Sequence, residues 1–516
     1  MREKQDFGAA SPRLQGLQGW WAACAAARAG ALCGLGLLAA TAVAGAVPPP
    51  APGSGAPVER GPGASGEDIE VAPGTSGEID IAPEGGGEID IAPGPEGGAS
   101  DITVEGAGPG PEAPAAPPAR SWSLRLPAVR LEAGGFTGSP RADGLGFGRL
   151  VVRSEGRGAG WEARIEALAD LQAQGGPQGV REARLDYGET YLRLQRGAWR
   201  LTLGTQTLIW GRLDEIPLAD RLSRVDATRG LLDDLPERRR ALPALRVERF
   251  LGEDKLDLVV LPHFRAAALP DRDSVWYPVH RSSGEILGID LPASVRALVR
   301  NAGIDEDGPA DFHGVGLRYT HVQGALDLGV TLERTRRSLP YFRLDPPRSR
   351  LVAEYPRSTL AGFDLGFDSG RAVWRWEMAW LSDVPVTRTS GAYDRVRGLQ
   401  WGGAVEFHPG DGDLRVNLQL VGQHLLDAGD VFDRTHSLDF NGSLSLPFAG
   451  DRWRLDVRWF TDLDRRNLYL NPTLAWTGLE AGEVTLSWHA FSGEAGTLGG
   501  FYRQADLVTL GWHAAF

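Results

Sequence analysis

Residues 452–460 read RWRLDVRWF, and this stretch alternates between two kinds of side chain. Its apolar members are Trp453, Leu455, Val457 and Trp459, and its charged members are Arg452, Arg454, Asp456 and Arg458. Successive side chains of a β-strand point to opposite faces of the sheet. The stretch therefore predicts a strand with one apolar wall and one charged wall.

The same alternation recurs from about residue 121 to the end of the chain. It is clearest in segments 161–171, 198–210, 325–333, 371–380 and 413–420. A continuous wall of Leu and Trp is unsuited to water, and unpaired Arg and Asp are unsuited to a dry core. Lipid outside and a polar lumen inside satisfy both walls, and closure of the sheet leaves no unpaired backbone in the hydrocarbon. We predict an all-β fold, an antiparallel transmembrane β-barrel over residues 121–516.

Tight and long connections alternate along this predicted barrel. The long ones are predicted at residues 211–242, 265–311, 339–350, 384–396 and 493–503. Their parity gives about 18 strands, or 16 if a weak segment such as 122–131 is not a strand. We expect the tight turns to face the periplasm and the long connections to face outward. Residues 287–299, within one long connection, predict a short helix that starts near Pro292.

The C-terminal strand provides an independent indication of the membrane. Val508, Leu510, Trp512 and Phe516 share one face, with the terminal Phe516 closing the chain. A last strand of this form is similar to the signal that the bacterial outer-membrane insertion machinery recognises. Trp161, Trp199, Trp453 and Trp512 lie near predicted tight turns or the chain end, where an aromatic ring suits the headgroup level.

The N-terminal part of the chain predicts export. Residues 30–46 are small and apolar and end in Ala-Gly-Ala, which is typical of a cleaved signal peptide, so residues 1–46 are assigned to one. Cys24 and Cys33 are the only cysteines and both lie there. Thiol catalysis and cysteine metal sites are therefore not expected in the mature chain. The net charge of −13 does not favour nucleic acid as a partner.

Residues 47–120 are rich in Pro, Gly and acid and predict a disordered periplasmic tether. They repeat one phrase, as GEDIEVAP at 66–73 and GEIDIAP at 77–83 and 87–93. Each copy alternates aliphatic and acidic residues, so it either adds a strand to a partner's sheet edge or is a duplicated spacer. The candidate docking residues are Glu67, Ile69, Glu78, Ile79, Asp80, Ile81, Glu88, Ile89, Asp90 and Ile91.

Residues 201–250 carry the most unusual connection, crowded with charges and Leu. We interpret it as a loop folded into the lumen to form a constriction, with a solvated surface loop as the alternative. Candidate lumen residues from this segment and from inward strand positions are Arg200, Gln206, Arg212, Asp214, Glu215, Arg238, Arg239, Arg240, Arg375, Glu377, Arg454, Asp456 and Arg458. Their mixed charges predict no strong preference for either ion sign.

The phrase GTQTLIWGRLDE, residues 204–215, with the Asp- and Arg-rich residues that follow, resembles the early hairpin of alginate-export-like and related outer-membrane porin families. In those families a Gly-x-Gln strand ends in Trp-Gly before a long polar loop. The resemblance implies a bacterial outer-membrane passage for an organic solute, a polysaccharide or a lipid-like molecule.

Three functions follow from these patterns. The first is a channel in contact with outer-membrane lipid and lipopolysaccharide. The second is a barrel that anchors the tether so that its repeats dock a periplasmic or inner-membrane transport partner. The third is a hydrolase, and the only residues in favour of it are Ser487, His489 and His513 on predicted inward faces. We expect no enzyme activity, no cofactor and no metal, since no clustered ligand spacing occurs.

Overall fold

The computed structural model describes residues 121–410 and 412–516 of the chain. Its main sheet is a closed antiparallel barrel of 18 strands, as the alternating sequence predicts. The predicted signal peptide, tether and docking residues lie outside the described residues.

The strands of the barrel follow one another around it in chain order, and each pairs with the next. They are β1 (Ser121–Phe136), β2 (Gly144–Gly158), β3 (Trp161–Gly175), β4 (Val180–Tyr187, continued by Thr190–Arg196), β5 (Trp199–Gln206), β6 (Leu242–Leu251), β7 (Asp254–Leu261), β8 (Gly314–Gln323), β9 (Leu326–Arg336), β10 (Arg357–Asp368), β11 (Ala372–Thr387), β12 (Tyr393–Phe407), β13 (Arg415–Leu426), β14 (His436–Phe448), β15 (Trp453–Asp462), β16 (Asn467–Trp476), β17 (Glu483–Gly493) and β18 (Leu507–Ala514).

The barrel closes between its first and last strands. β1 pairs with β18 in a register that sets Val129 opposite Ala514 and Phe136 opposite Leu507. Beyond the ladder, the backbone N–H of Phe516 donates to the carbonyl of Leu126 at 2.8 Å. Closure leaves no open edge in the main sheet, which is the condition for a sheet to sit in hydrocarbon.

The outer face of the barrel is apolar. Large side chains such as Leu171 (62% exposed) and Leu510 (59% exposed) project from it without protein neighbours that cover them. At the end with the tight turns, Trp122 lies 6.4 Å from Trp161 between ring centroids. An exposed apolar band bordered by aromatic rings is the surface that a bilayer stabilises.

No helix in the described ranges is long and apolar enough to cross a membrane.

We call the end with the tight turns the turn end and the opposite end the loop end. At the loop end the long connections cover residues 207–241, 262–313 and 337–356. The predicted long connection at 384–396 is wrong, because β11 and β12 continue through most of it and leave only residues 388–392 between them. Ladder pairing there extends to Thr387 opposite Tyr393, so backbone hydrogen bonds replace the expected loop.

The two connections at 262–313 and 337–356 pack together into a cap at the loop end. The predicted helix is present as α1 (Ala293–Asn301), directly after Pro292. Its Val299 is buried with Tyr277 and Ile289 against Phe342 of the second connection. Strand Arg350–Glu354 joins the two connections, since it pairs with Gly303–Asp305 and with Tyr341–Asp345.

The inner wall of the barrel is not polar along its whole height. Near the loop end, Phe460, Tyr469, Phe491 and Leu507 point inward and are buried with Trp276 and Tyr502 from two connections. The polar lumen that the alternation predicts is therefore interrupted by an apolar cluster near the loop end. Connections that fold into the barrel mouth bring apolar side chains of their own, and these need apolar partners on the wall.

Candidate functional site in the barrel interior

The connection between β5 and β6, residues 207–241, lies inside the barrel, and we call it the luminal loop. Its side chains are bonded to inward residues of strands on several sides of the barrel, from β1 through β9, β11 and β15. It has little regular structure, namely the strand pair Arg224–Val225 with Arg239–Arg240 and a short 3₁₀ turn at Pro236–Arg238. Its position is therefore set by contacts with the wall.

Glu377 of β11 is the main acceptor for the backbone of the luminal loop. Its carboxylate accepts hydrogen bonds from the N–H groups of Arg212, of Leu213 at 2.8 Å and of Leu218 at 2.7 Å. Glu377 is only 4% exposed. Three backbone donors satisfy the buried carboxylate and also satisfy loop N–H groups that have no ladder partner.

Apolar packing reinforces this attachment to β11. Leu213 and Leu218 are buried against inward side chains of β10 to β13, which include Leu360 and Leu381. On the neighbouring wall, Trp210 and Leu222 pack against β6 and β7. The loop therefore contacts the wall through buried apolar side chains as well as through charged ones.

Arg212 joins the luminal loop to β9 and β10. Its guanidinium donates to Asp327 at 2.6 and 2.7 Å and also to Asp364. Asp364 in turn accepts from Arg318 of β8 at 2.8 Å. Paired N–H donors of arginine match the two oxygens of a carboxylate, so this contact fixes the direction of the side chain as well as its charge.

A second ion pair lies beside this one. Asp214 of the loop accepts from Arg375 of β11 at 3.0 Å and from Asn417 of β13. Arg375 also donates to Glu406 of β12 at 3.1 Å. The predicted lumen residues Asp214 and Arg375 thus contact each other directly.

The opposite side of the loop is bonded to β1. Arg229 donates to Glu132 at 2.8 Å and to Asp233 at 2.8 Å, and Arg130 donates to Asp233 at 3.0 Å. Arg130 also bonds Glu237 of the loop. Burial alone would raise the pKa of Asp233, but Arg229 and Arg130 hold it well below its usual range. Asp233 is therefore ionised in this network at all ordinary pH values.

Two further arginines complete the attachment. Arg240 of the loop bonds Asp226 at 2.8 Å and also bonds Asp170 of β3, which accepts from Arg149 at 2.8 Å. Arg458 of β15 bonds Asp234 and donates to the carbonyl of Leu231 at 2.7 Å. Charges along the whole length of the loop, from Arg212 to Arg240, thus meet opposite charges on the wall.

A polar cavity of about 400 Å³ lies between β3, β4 and the connections at the loop end. Asp186 accepts there from Arg224 at 2.8 Å and from Arg265 at 3.2 Å. Arg184 lines the same cavity and donates to Glu182 at 2.7 Å. The cavity therefore presents both carboxylate and guanidinium groups to a polar molecule.

The remaining predicted lumen residues divide into two groups. Glu215, Arg238 and Arg239 belong to the luminal loop, where the backbone N–H of Glu215 faces Gln419 and Arg239 is paired with Asp220. Gln206, at the end of β5, is buried and donates to the carbonyl of Ala244. The other group lies on the wall away from the loop.

That second group consists of Arg200, Arg454 and Asp456. Arg200 lies over the ring of Phe250 at 4.9 Å, and Arg454 donates to Asp456 at 2.8 Å and to Glu483 at 3.0 Å. These pairs line the turn end of the barrel. Their partners lie on the same strand or on nearby strands of the wall, so they are not part of the contacts that hold the loop.

Sequence reasoning missed the wall residues that hold the loop on β1 and β3. Arg130, Glu132 and Asp170 are buried partners of loop charges. The alternation of residues 129–132, VRLE, marks Arg130 and Glu132 as inward positions. That signal was available, but it could not show which loop the two residues meet.

The residues considered for hydrolysis do not form a catalytic group. Ser487 shares a hydrogen bond with Thr473 at 2.8 Å, and His489 bonds Tyr469 at 2.9 Å in a buried position. The nucleophile and base of such a site would have to bond each other. Within the described ranges no group of three or more His, Cys, Asp or Glu is placed to hold a metal ion.

Comparison with known proteins finds no matching family model and no matching curated protein. Solved structures with similar architecture include OmpF of Salmonella typhi in complex with daunomycin (8% identity, 77% of this chain and 98% of that chain, TM-score 0.41). Others are OccAB1 of Acinetobacter baumannii (7%, 77% and 96%, 0.46) and the outer membrane channel DcaP of Acinetobacter baumannii (10%, 77% and 97%, 0.37). The resemblance to alginate-export-like families remains a prediction.

Proposed function

We propose that this protein is an outer-membrane channel that passes small polar organic solutes through the barrel, without catalysis. The observation that carries the proposal is the luminal loop, held inside a closed membrane barrel by ion pairs to several strands. A barrel of this strand number encloses more space than wall side chains alone can fill. A charged loop in that space narrows the path and gives it selectivity.

The charges favour solutes that carry both signs or several polar groups. Acidic and basic side chains alternate along the loop contacts, and the polar cavity beside β4 presents Asp186 together with Arg224 and Arg265. A solute with only one kind of charge would find half of these groups repulsive. We therefore propose that the transported solutes are zwitterionic or polyhydroxylated molecules.

Planar-bilayer recording of the refolded protein tests the channel. Wild type should give discrete conductance steps, and a variant in which a short Gly/Ser linker replaces residues 212–234 should give larger steps, because the loop occupies part of the lumen. A full-length variant with Glu483→Ala, which alters the wall at the turn end, serves as the control and should stay close to wild type. If neither wild type nor the loop-shortened variant conducts ions, the channel proposal fails.

A second proposal concerns the repeated acidic phrase in residues 66–93. Three closely spaced copies of one strand-forming phrase favour docking to a partner's sheet edge, because repetition raises the effective concentration of each copy. In this function the barrel serves as an anchor for a periplasmic or inner-membrane transport partner. It is compatible with the channel and is tested separately below.

A further inference from the structure

A groove of about 960 Å³ runs across the outer face of the barrel over β18, β1, β2, β3 and β4. Its surface is almost entirely apolar. Leu131, Leu171 and Leu510 form its raised sides, and Gly146 and Gly148 of β2 lie at its floor. Other parts of the outer face carry exposed large side chains, such as Leu203, Leu332 and Trp376.

The floor of the groove exists because two glycines leave the sheet bare. A Cβ placed on Gly146 would meet only the carbonyl oxygen of Glu132, at 4.0 Å. A Cβ placed on Gly148 would lie 3.4 Å from Leu131. The backbone does not require glycine at Gly146, since its φ is not in the left-handed region. A larger side chain is thus compatible with the strand and would simply fill the groove.

One row of paired residues gives the groove its direction. Arg181 of β4 lies opposite Ala173, which lies opposite Gly146, then Ala133, then Leu510. With strands spaced about 4.8 Å apart, four spacings cover about 19 Å. That is the reach of an extended fatty acyl chain.

Arg181 stands at one end of this row, on the loop-end half of the barrel. Its side chain is exposed on the outward face, and its guanidinium has no hydrogen-bond or ion-pair partner anywhere in residues 121–410 and 412–516. A cation at the lipid surface is costly unless it meets an anion. Arginine matches phosphate through several parallel N–H donors.

We propose that this groove binds a phosphorylated glycolipid of the lipid A type from the leaflet at the loop end. An acyl chain lies along this row, over Ala173, Gly146 and Ala133, and a headgroup phosphate pairs with Arg181. The apolar lining, the length of the row and the unpaired cation at its end together select an amphiphile with an anionic head. This site lies on the outer face and not in the channel interior, so the proposal does not depend on the proposed channel function.

Native mass spectrometry of the refolded protein, titrated with diphosphoryl lipid A in detergent, tests the site. Wild type should retain lipid A, and Arg181→Gln should weaken binding about tenfold through loss of the charge-assisted contact. Gly146→Leu should weaken it similarly by filling the groove, with Ala173→Phe as a second variant if Gly146→Leu does not fold. Lipid A with its phosphates removed should bind wild type as weakly as diphosphoryl lipid A binds Arg181→Gln.

Arg334→Gln is the matched control, because Arg334 is an exposed arginine on the outward face of β9 whose guanidinium bonds, among the described residues, only the hydroxyl of Thr359. It should bind lipid A within twofold of wild type. The proposal is overturned if Arg181→Gln and a groove-filling variant bind like wild type, or if Arg334→Gln loses as much affinity as Arg181→Gln. It is also overturned if the groove-filling variant instead abolishes an oligomer of the chain that forms without lipid, since a second copy would then be the occupant.

Discussion

Glu377 offers the sharpest test of how the luminal loop is held. Its carboxylate accepts N–H bonds from Arg212, Leu213 and Leu218 and is almost fully buried. Glu377→Ala removes the two oxygens that accept these three hydrogen bonds and leaves buried loop donors unsatisfied. A hydrogen bond to a charged group contributes about 1.5–3 kcal/mol, but removal also relieves the desolvation of the carboxylate. We therefore expect the loop to be destabilised by about 3 kcal/mol in total, with its apolar packing left in place.

A loss of about 3 kcal/mol raises the population of the open loop about 100-fold, at about 1.4 kcal/mol per tenfold. Cysteine labelling measures that population. Ala219→Cys places a thiol in the buried cluster between the loop and the wall, in a chain with Cys24 and Cys33 replaced by serine. A water-soluble maleimide should label this thiol about 100-fold faster when Glu377→Ala is added.

Glu483→Ala is the matched control for this experiment. Glu483 is also an inward carboxylate bonded to an arginine, Arg454, but it lies at the turn end. It should leave the labelling rate of Ala219→Cys within about threefold of the parent. Equal labelling rates with and without Glu377→Ala would refute the conclusion that this carboxylate holds the loop.

Three more outcomes are expected. The ring of His280 stacks on Phe501 at 3.8 Å beside Arg141, and burial and then Arg141 lower its pKa from 6.5 to about 3. A histidine buried in the neutral form stabilises the fold fully above pH 6.5 and loses that contribution as the pH falls toward 3. The unfolding temperature, followed by tryptophan fluorescence, should therefore drop over this pH range by less in His280→Gln than in wild type, and an equal drop in both would contradict the prediction. Deletion of Phe516 removes the backbone pair with Leu126 and the predicted insertion signal, so less barrel should reach the heat-modifiable folded form in cells, whereas unchanged yield would exclude that role. Deletion of residues 66–93 should abolish co-purification of a periplasmic or inner-membrane partner without changing bilayer conductance, and retained co-purification would leave the repeats as a spacer.

Much of the barrel is predictable because the alternating side chains of each strand face two different environments. Leu455 and Val457 alternate with Asp456 and Arg458 in the sequence, and this parity gives the outward and inward faces without any knowledge of neighbours. The strand number follows from the tight turns. Pro292 likewise marks the start of α1 through a local preference.

The interior was harder to predict, because its contacts join residues far apart in the chain. An inward apolar residue such as Phe460 is spaced from the other residues of its face in the same way as a lipid-facing residue, so spacing alone does not distinguish the two. Only the folded connections show that Phe460 meets other apolar side chains inside the barrel. The charges of the luminal loop were visible, but their partners Glu132, Asp327 and Asp364 depend on how the loop crosses the lumen.

The extra strand length at β11 and β12 has a different origin. Residues 384–396 contain Pro385 and Gly391, which favour a loop when read locally. Ladder pairing and the packing of Val386 and Val396 outweigh that preference and extend both strands. Local turn signals therefore located the connection but overestimated its length.

Spin labelling along residues 453–460 tests most directly whether the two faces of each strand meet different solvents. Single cysteines in this stretch, each carrying a nitroxide in a refolded bilayer sample, are compared for collision with oxygen in lipid and with a water-soluble nickel chelate. We predict that positions 455, 457 and 459 favour oxygen and that positions 454 and 456 favour the nickel chelate. Uniform accessibility along the stretch, or the opposite alternation, would contradict a membrane barrel with a polar interior.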